Sequence, residues 1–187
     1  MIVMSRDEIR NRGNRMRIAA GLFAVCLLPS AAESAPGLDV TGYGILANTP
    51  TTKVGTGTGG IEQVSSSNDY VLRTTDTIPV CLGTRFGILY RITGEPVGAA
   101  VNLVAINKFP APGLAVPGVA APVHEDRYGH TSRIGSQGFS WYEFDNQWEM
   151  VPGIWTLEIW SGNQRLASHV FNVVRVQNKT CIASPIT

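Results

Sequence analysis

The chain is poor in the residues that most site chemistry needs. Three histidines and three cysteines are spread over 187 residues, so a zinc site of closely spaced Cys and His has little to draw on. Fifteen basic side chains stand against fourteen acidic ones, which leaves no basic surplus for nucleic acid or an anionic lipid surface. No apolar run reaches the ~20 residues of a membrane-spanning helix. Beyond residue 32 no segment holds a helical apolar period for about ten residues, which argues against helical fold classes. The serine-hydrolase frame G-x-S-x-G is missing too; Gly135-Ser136-Gln137-Gly138 does not supply it.

What is present begins with an export signal. Arg6, Arg10, Arg12, Arg15 and Arg17 form a positive n-region, and Ile18 to Leu28 is an eleven-residue apolar run, suited to a signal helix and too short for a stable anchor. Pro29 ends that helix, and Ser30-Ala31-Ala32 offers the small residues of a cleavage site. The expected cut follows Ala32, with Ser34 as the alternative. Cys26 is not a lipoprotein cysteine, because Val25 precedes it and apolar residues continue past it. Residues 1–32 are therefore read as a signal peptide. Residues 33–187 are read as a single domain with a C-terminal tail, periplasmic or secreted, with no transmembrane anchor after cleavage. The leader carries five of the fifteen basic side chains and two of the fourteen acidic ones, leaving ten against twelve.

Once Cys26 is removed with the leader, Cys81 and Cys181 remain. Two cysteines in an exported chain point to one disulfide. It closes a loop of about 100 residues, worth up to ~4.7 kcal/mol in the chain-entropy model. A catalytic thiol or two separate buried thiols are the alternatives.

The remaining pattern is that of strands. Phe86, Ile88, Tyr90 and Ile92 recur at period two, as in a half-buried strand. Val97 to Phe109 is apolar on both faces and reads as a central strand. His124 to Arg133 is polar and fits a short edge strand. Further strands are expected over Val40 to Ala47, with Gly42 and Gly44 allowing a bulge or close approach, and over Asp69 to Thr77 and Gly138 to Asn146. A closing hairpin carries Trp155, Leu157 and Ile159 on one arm and Arg165 to Val176 on the other. Phe171 and Val173 share one phase of that last strand, while Val170, Val174 and Val176 share the other, which implies a bulge or burial on both sides. Residues 48–60 lose all alternation and read as a flexible loop. Residues 110–123 carry four prolines, which exclude helix and central strand. With Leu114, Val116 and Val119 this is an apolar extended loop that either covers an open core edge, the favoured reading, or binds a partner. Seven or eight short strands with Gly/Pro turns make an all-β antiparallel sandwich.

Few segments suggest chemistry. Gly55-Thr56-Gly57-Thr58-Gly59-Gly60 matches G-x-G-x-x-G, but no helix follows to receive a phosphate. His124, Glu125, Asp126 and His130 are the densest metal-capable set, at a spacing foreign to zinc sites, and read better as a solvated stretch. Glu143, Asp145, Glu149 and Glu158 surround the four tryptophans and offer paired carboxylates for a hydrolase. Trp155, in phase with Leu157 and Ile159, reads as core. Trp148 and Trp160 are the better candidates for an exposed sugar-stacking face. No catalytic residue, metal ligand or cofactor is assigned.

Gly42-Tyr43-Gly44-Ile45, Ile78-Pro79, Gly83-Thr84-Arg85-Phe86-Gly87 with Tyr90, and Trp148-Glu149 followed by Val151-Pro152-Gly153-x-Trp155 together resemble an uncharacterised family of exported bacterial domains. The W-E-x-V-P-G-x-W element is the most specific part, and the likeness spans roughly residues 38–175. A shorter likeness, from Pro152-Gly153-x-Trp155-x-Leu157 to Phe171-x-Val173, is similar to the end of many immunoglobulin-like envelope domains. The resemblance implies an immunoglobulin-like sandwich and carries no catalytic residue across. Cys81 and Cys181 stand outside that pattern, so the expected bond is particular to this chain. The reading is a non-catalytic binding or structural module of the bacterial envelope whose partner is an envelope protein or peptide. Its possible binding surface is Trp148 and Trp160, or Leu114, Val116 and Val119. A carbohydrate-binding module using exposed tryptophan and a hydrolase with carboxylates near 141–158 are the alternatives.

Overall fold

The computed structural model describes residues 34–47, 49–66 and 70–176. The expected leader, its cut after Ala32 and Cys181 lie outside the described residues. Within them the secondary structure is β apart from one 3-10 turn at Gln147–Glu149. The strands are β1 (Ser34–Leu46), β2 (Thr51–Thr56), β3 (Glu62–Ser66), β4 (Val71–Arg73), β5 (Thr77–Pro79), β6 (Arg85–Glu95), β7 (Ala100–Lys108), β8 (Glu125–Arg133), β9 (Gln137–Glu143), β10 (Gly153–Ser161) and β11 (Gln164–Val174). One sheet has the order β4-β1-β6-β9, the other β5-β11-β10-β7-β8, and β2 and β3 form a separate hairpin. Among the described pairings only β5 with β11 is parallel.

Alternation explains which side chains meet between the sheets. Phe86, Ile88, Tyr90 and Ile92 of β6 face Trp155, Leu157 and Ile159 of β10 and Phe171 and Val173 of β11 in one buried cluster. The ring of Trp155 meets Phe86 edge-on at 5.8 Å and Phe109 at 4.9 Å. Its indole N–H donates to the Val151 carbonyl at 2.9 Å, so its one polar atom is satisfied inside the core. Trp155 is thus core, as its phase implies. Gly153 (φ +134°) opens β10 where a side chain would strike Pro110.

β7 is central, between β10 and β8, and buries Val101, Leu103 and Ile106. β8 is the edge strand its polarity suggests. Gly44 (φ +130°) is a close approach, where a Cβ would collide with the Arg73 carbonyl. The two sheets of the sandwich hold nine described strands and the hairpin two more, against the seven or eight expected, for two reasons. The 69–77 stretch divides into β4, which pairs with β1, and β5, which pairs with β11 in the opposite sheet. Within the 48–60 stretch expected as a flexible loop, residues 51–56 form β2 and pair with β3 in a hairpin. That hairpin is mostly exposed, so no apolar alternation announces it. On β11 the doubled apolar phase is resolved by orientation: Phe171 and Val173 point inward while Val170 is exposed. The bulge falls near the turn, between Ile159 and Trp160. The Pro-rich loop lies over the core edge with Leu114 and Val116 buried and Leu114 bridged to Val123.

Candidate functional site

The aliphatic core stops short of one side of the sandwich. There β8 ends one sheet and β9 the other, and the inner positions are small or polar: Ala105 and Asn107 on β7, Gly138 and Ser140 on β9. Such residues cannot fill the space between the layers. A cleft of about 340 Å³ results, partly roofed by Val54, Gln63, Val64 and Ser65 of the β2–β3 hairpin.

Period two on β8 brings Asp126, Tyr128, His130 and Ser132 to the cleft side and turns Glu125 and Arg127 away, where they pair at 2.8 Å. The carboxylate of Asp126 holds the hairpin. It accepts the Gly59 N–H at 2.5 Å and the Gln63 amide N–H at 2.7 Å. Thr58 adds two bonds to the β8 edge, its N–H to the Arg127 carbonyl at 3.0 Å and its hydroxyl from the Arg127 N–H at 3.1 Å. Gly57 and Gly59 are glycines because a Cβ on Gly57 would collide with the Asp126 carboxylate and one on Gly59 with Val123. The G-x-G-x-x-G spacing is thus the seat of a structural carboxylate. Desolvation raises the Asp126 carboxyl above its ordinary range, against the lowering effect of the Gly59 and Arg127 N–H groups.

The floor and walls are aromatic and uncharged. Tyr90 crosses from β6 because Gly138 leaves it room; a Cβ there would sit 2.6 Å from the Tyr90 ring. Burial pushes the Tyr90 phenol up to about 12, so its hydroxyl keeps its proton at neutral pH. Burial lowers His130 from the usual histidine range, so its imidazole is neutral there. The rings of Tyr128 and His130 lie nearly parallel, 14° apart with centroids 6.3 Å apart. Asn107 is 6% exposed and its side-chain carbonyl accepts no hydrogen bond. Among the described residues no Asp, Glu, Lys or Arg lines the cleft.

The residues singled out from sequence fall elsewhere. Trp148 is half-buried against the core. Trp160 is half-buried too, and its indole N–H donates to Glu158 at 2.8 Å. It lines a separate surface recess of about 200 Å³ with Val104, Ile106 and Arg127. Leu114 and Val116 are closed to a partner by burial, while Val119 is 41% exposed. Cys81 is buried just before β6. Of the metal-capable set, Glu125 points away from Asp126 and His130, Asp126 is buried and taken by the hairpin rather than solvated, and His169 is occupied with Asp76 at 2.7 Å. Among the described residues no three His, Cys, Asp or Glu side chains are placed to hold a metal ion.

The four acids near the tryptophans are also divided. Glu143 pairs with Arg85 at 2.7 Å. Glu149 accepts the Asn146 N–H at 2.6 Å and the Tyr142 hydroxyl at 3.1 Å, which caps the 3-10 turn. Desolvation raises both Glu149 and Asp145. Glu143, Asp145 and Glu149, with Asn107 beside them, border a void of about 40 Å³, room for water and not for a sugar ring. Glu158 projects from the opposite face of β10 to Leu157 and Ile159, and pairs with Lys108 at 2.9 Å and Arg165 at 3.3 Å.

Sequence reasoning missed Tyr90, Asn107 and Tyr128 as a group. One signal was available: Asn107 is a lone amide on the inward face of β7, where Val101, Leu103 and Ala105 precede it.

No family model matches the chain, and neither does any curated protein. Among solved structures, the crystal structure of an immunoglobulin-like protein from Pseudomonas aeruginosa matches with a TM-score of 0.52 at 22% identity, covering 77% of this chain and 100% of that one. A β-glucosidase from Listeria innocua matches over 75% of this chain and 16% of its own, with a TM-score of 0.38 at 10% identity. A β-glucosidase from Bifidobacterium adolescentis covers 75% and 17% with a TM-score of 0.33 at 16% identity. The first likeness shows an immunoglobulin-like fold; the glycosidase likenesses carry no argument.

Proposed function

We propose that this chain is an exported, non-catalytic binding module of the bacterial envelope and that its working surface is the open side of the sandwich between β8 and β9. The observation that carries this reading is the division of labour among polar groups. Glu143, Glu149 and Glu158, candidates for acid–base work, are each taken up by ion pairs or hydrogen bonds that hold the fold. The cleft, by contrast, presents Tyr90, Asn107, Tyr128 and His130, whose side chains form no hydrogen bond or ion pair with the described residues, as suits a binding site. Fold alone does not assign this role. The strand edges beside the cleft give an envelope protein or peptide a route of its own, by strand addition.

Two measurements test the reading. The full-length chain is expressed with a C-terminal tag, fractionated, and its N-terminus sequenced. The expected result is a periplasmic or secreted product beginning at Glu33, after a cut at Ala32. An intact N-terminus in the cytoplasmic fraction would overturn the export half. For the second half, the purified chain is assayed against chromogenic glycoside and ester substrates, and turnover removed by Glu149→Gln or Asp145→Asn would overturn the non-catalytic half.

A further inference from the structure

We infer that the cleft between β8 and β9 is a binding site for a neutral saccharide, seated on Tyr128 and His130 and recognised in depth by Asn107 and Tyr90; this rests on the binding-module reading above. The first argument is the unmatched acceptor. A buried carbonyl without a donor is costly and rare in folded proteins, and Asn107 keeps one at 6% exposure between the cleft and the small void beside it. A ligand that brings a hydroxyl proton to that point removes the penalty. The second argument is the wall opposite. Tyr90 keeps its phenolic proton there, so it can donate to a ligand oxygen. Donor and acceptor on facing sheets suit a molecule whose hydroxyls serve as both.

The third argument is charge. Among the described residues the lining contains no Asp, Glu, Lys or Arg, which leaves nothing there to pair with a phosphate, a carboxylate or an ammonium group. A purely apolar ligand would leave Asn107 as it is. The fourth is shape. Tyr128 and His130 bring two rings with nearly parallel planes, 14° apart, to the cleft side, and an aromatic face is what the C–H face of a pyranose packs on; about 340 Å³ lies at the small end of ligand sites. A peptide pairing with the strand edges needs no acceptor buried between the sheets. The site is distinct from Trp148 and Trp160.

The test is a titration of the 15N-labelled chain, residues 33–187, followed by NMR, with glucose, maltose, cellobiose and N,N′-diacetylchitobiose as probes. An acetylated and amidated trialanine serves as the peptide probe. Saturable shifts at residues 105–107 and 128–130 with at least one saccharide are expected. Asn107→Leu should weaken that binding by about tenfold or more, since it deletes the acceptor, while its melting temperature holds or rises. Tyr128→Ala should weaken it similarly, with a circular dichroism spectrum like that of the parent. Trp148→Phe and Trp160→Phe should leave it unchanged. The inference is overturned if no saccharide saturates, if Asn107→Leu binds as well as the parent, if the shifts centre on Trp148 or Trp160, or if only the peptide occupies the cleft. Export and turnover are read separately, so failure here leaves the binding-module reading to its own test.

Discussion

Asn107 and Asp126 face each other across the β7–β8 ladder with opposite outcomes. Both are buried, at 6% and 1% exposure. The carboxylate of Asp126 is taken by Gly59 and Gln63, while the carbonyl of Asn107 is taken by nothing. One of the pair fastens the hairpin to the sandwich, and the other is the acceptor of the proposed saccharide site.

Asp126→Ala should strip the Gly59 N–H and the Gln63 amide of their acceptor and destabilise the chain by about 1–3 kcal/mol. Urea unfolding gives the magnitude. Hydrogen exchange should accelerate at residues 57–66 more than in β10 and β11. The pH dependence has a definite sign. Desolvation holds the folded carboxyl above the ordinary aspartate value. Its contribution is therefore fully present below that value and is lost as pH rises through the raised one. Asp126→Asn should abolish that part of the slope.

Gly57→Ala should be severe for its size, because the added methyl meets the Asp126 carboxylate. Gly129→Ala on β8 is the control. Its Cβ would find only the Leu103 carbonyl, at 3.9 Å, and alanine is the better strand residue by roughly 0.5–1 kcal/mol. Thermal melting should fall for the first and hold or rise for the second.

Glu158 provides an acid-side effect of opposite sign. Desolvation alone would raise its carboxyl, but hydrogen bonds from Lys108 and Trp160, the Lys108 charge and the Arg165 bond outweigh it and bring it below the ordinary range. Its stabilisation is present above the ordinary glutamate value and is lost as pH falls through the lowered one. Glu158→Gln should therefore destabilise the chain at pH 7 and lose that increment towards acid pH. Stability curves at a series of pH values check this.

The Cys81–Cys181 bond remains a proposal. Intact mass of the exported chain without reduction should be 2 Da below the sum for free thiols. Cys181→Ser should lower stability by about 2–5 kcal/mol. Two alkylatable thiols in the native chain would reject the bond.

Strands whose burial follows period two were legible in advance. Phe86 to Ile92 and Trp155 to Ile159 lie where their alternation puts them, and β7 is central because both its faces are apolar. The β2–β3 hairpin was not legible, because exposed threonine and glycine carry no burial signal. Its order comes from backbone pairing and from Asp126, sixty-seven residues after Gly59.

The sequence by itself determined an all-β sandwich and the burial of Trp155, because alternation is local and each strand carries its own. Only the tertiary structure decided which polar residues are occupied and which are left unmatched. That depends on which strands become neighbours, and no local pattern announces that Tyr90, Asn107 and Tyr128 will enclose one space.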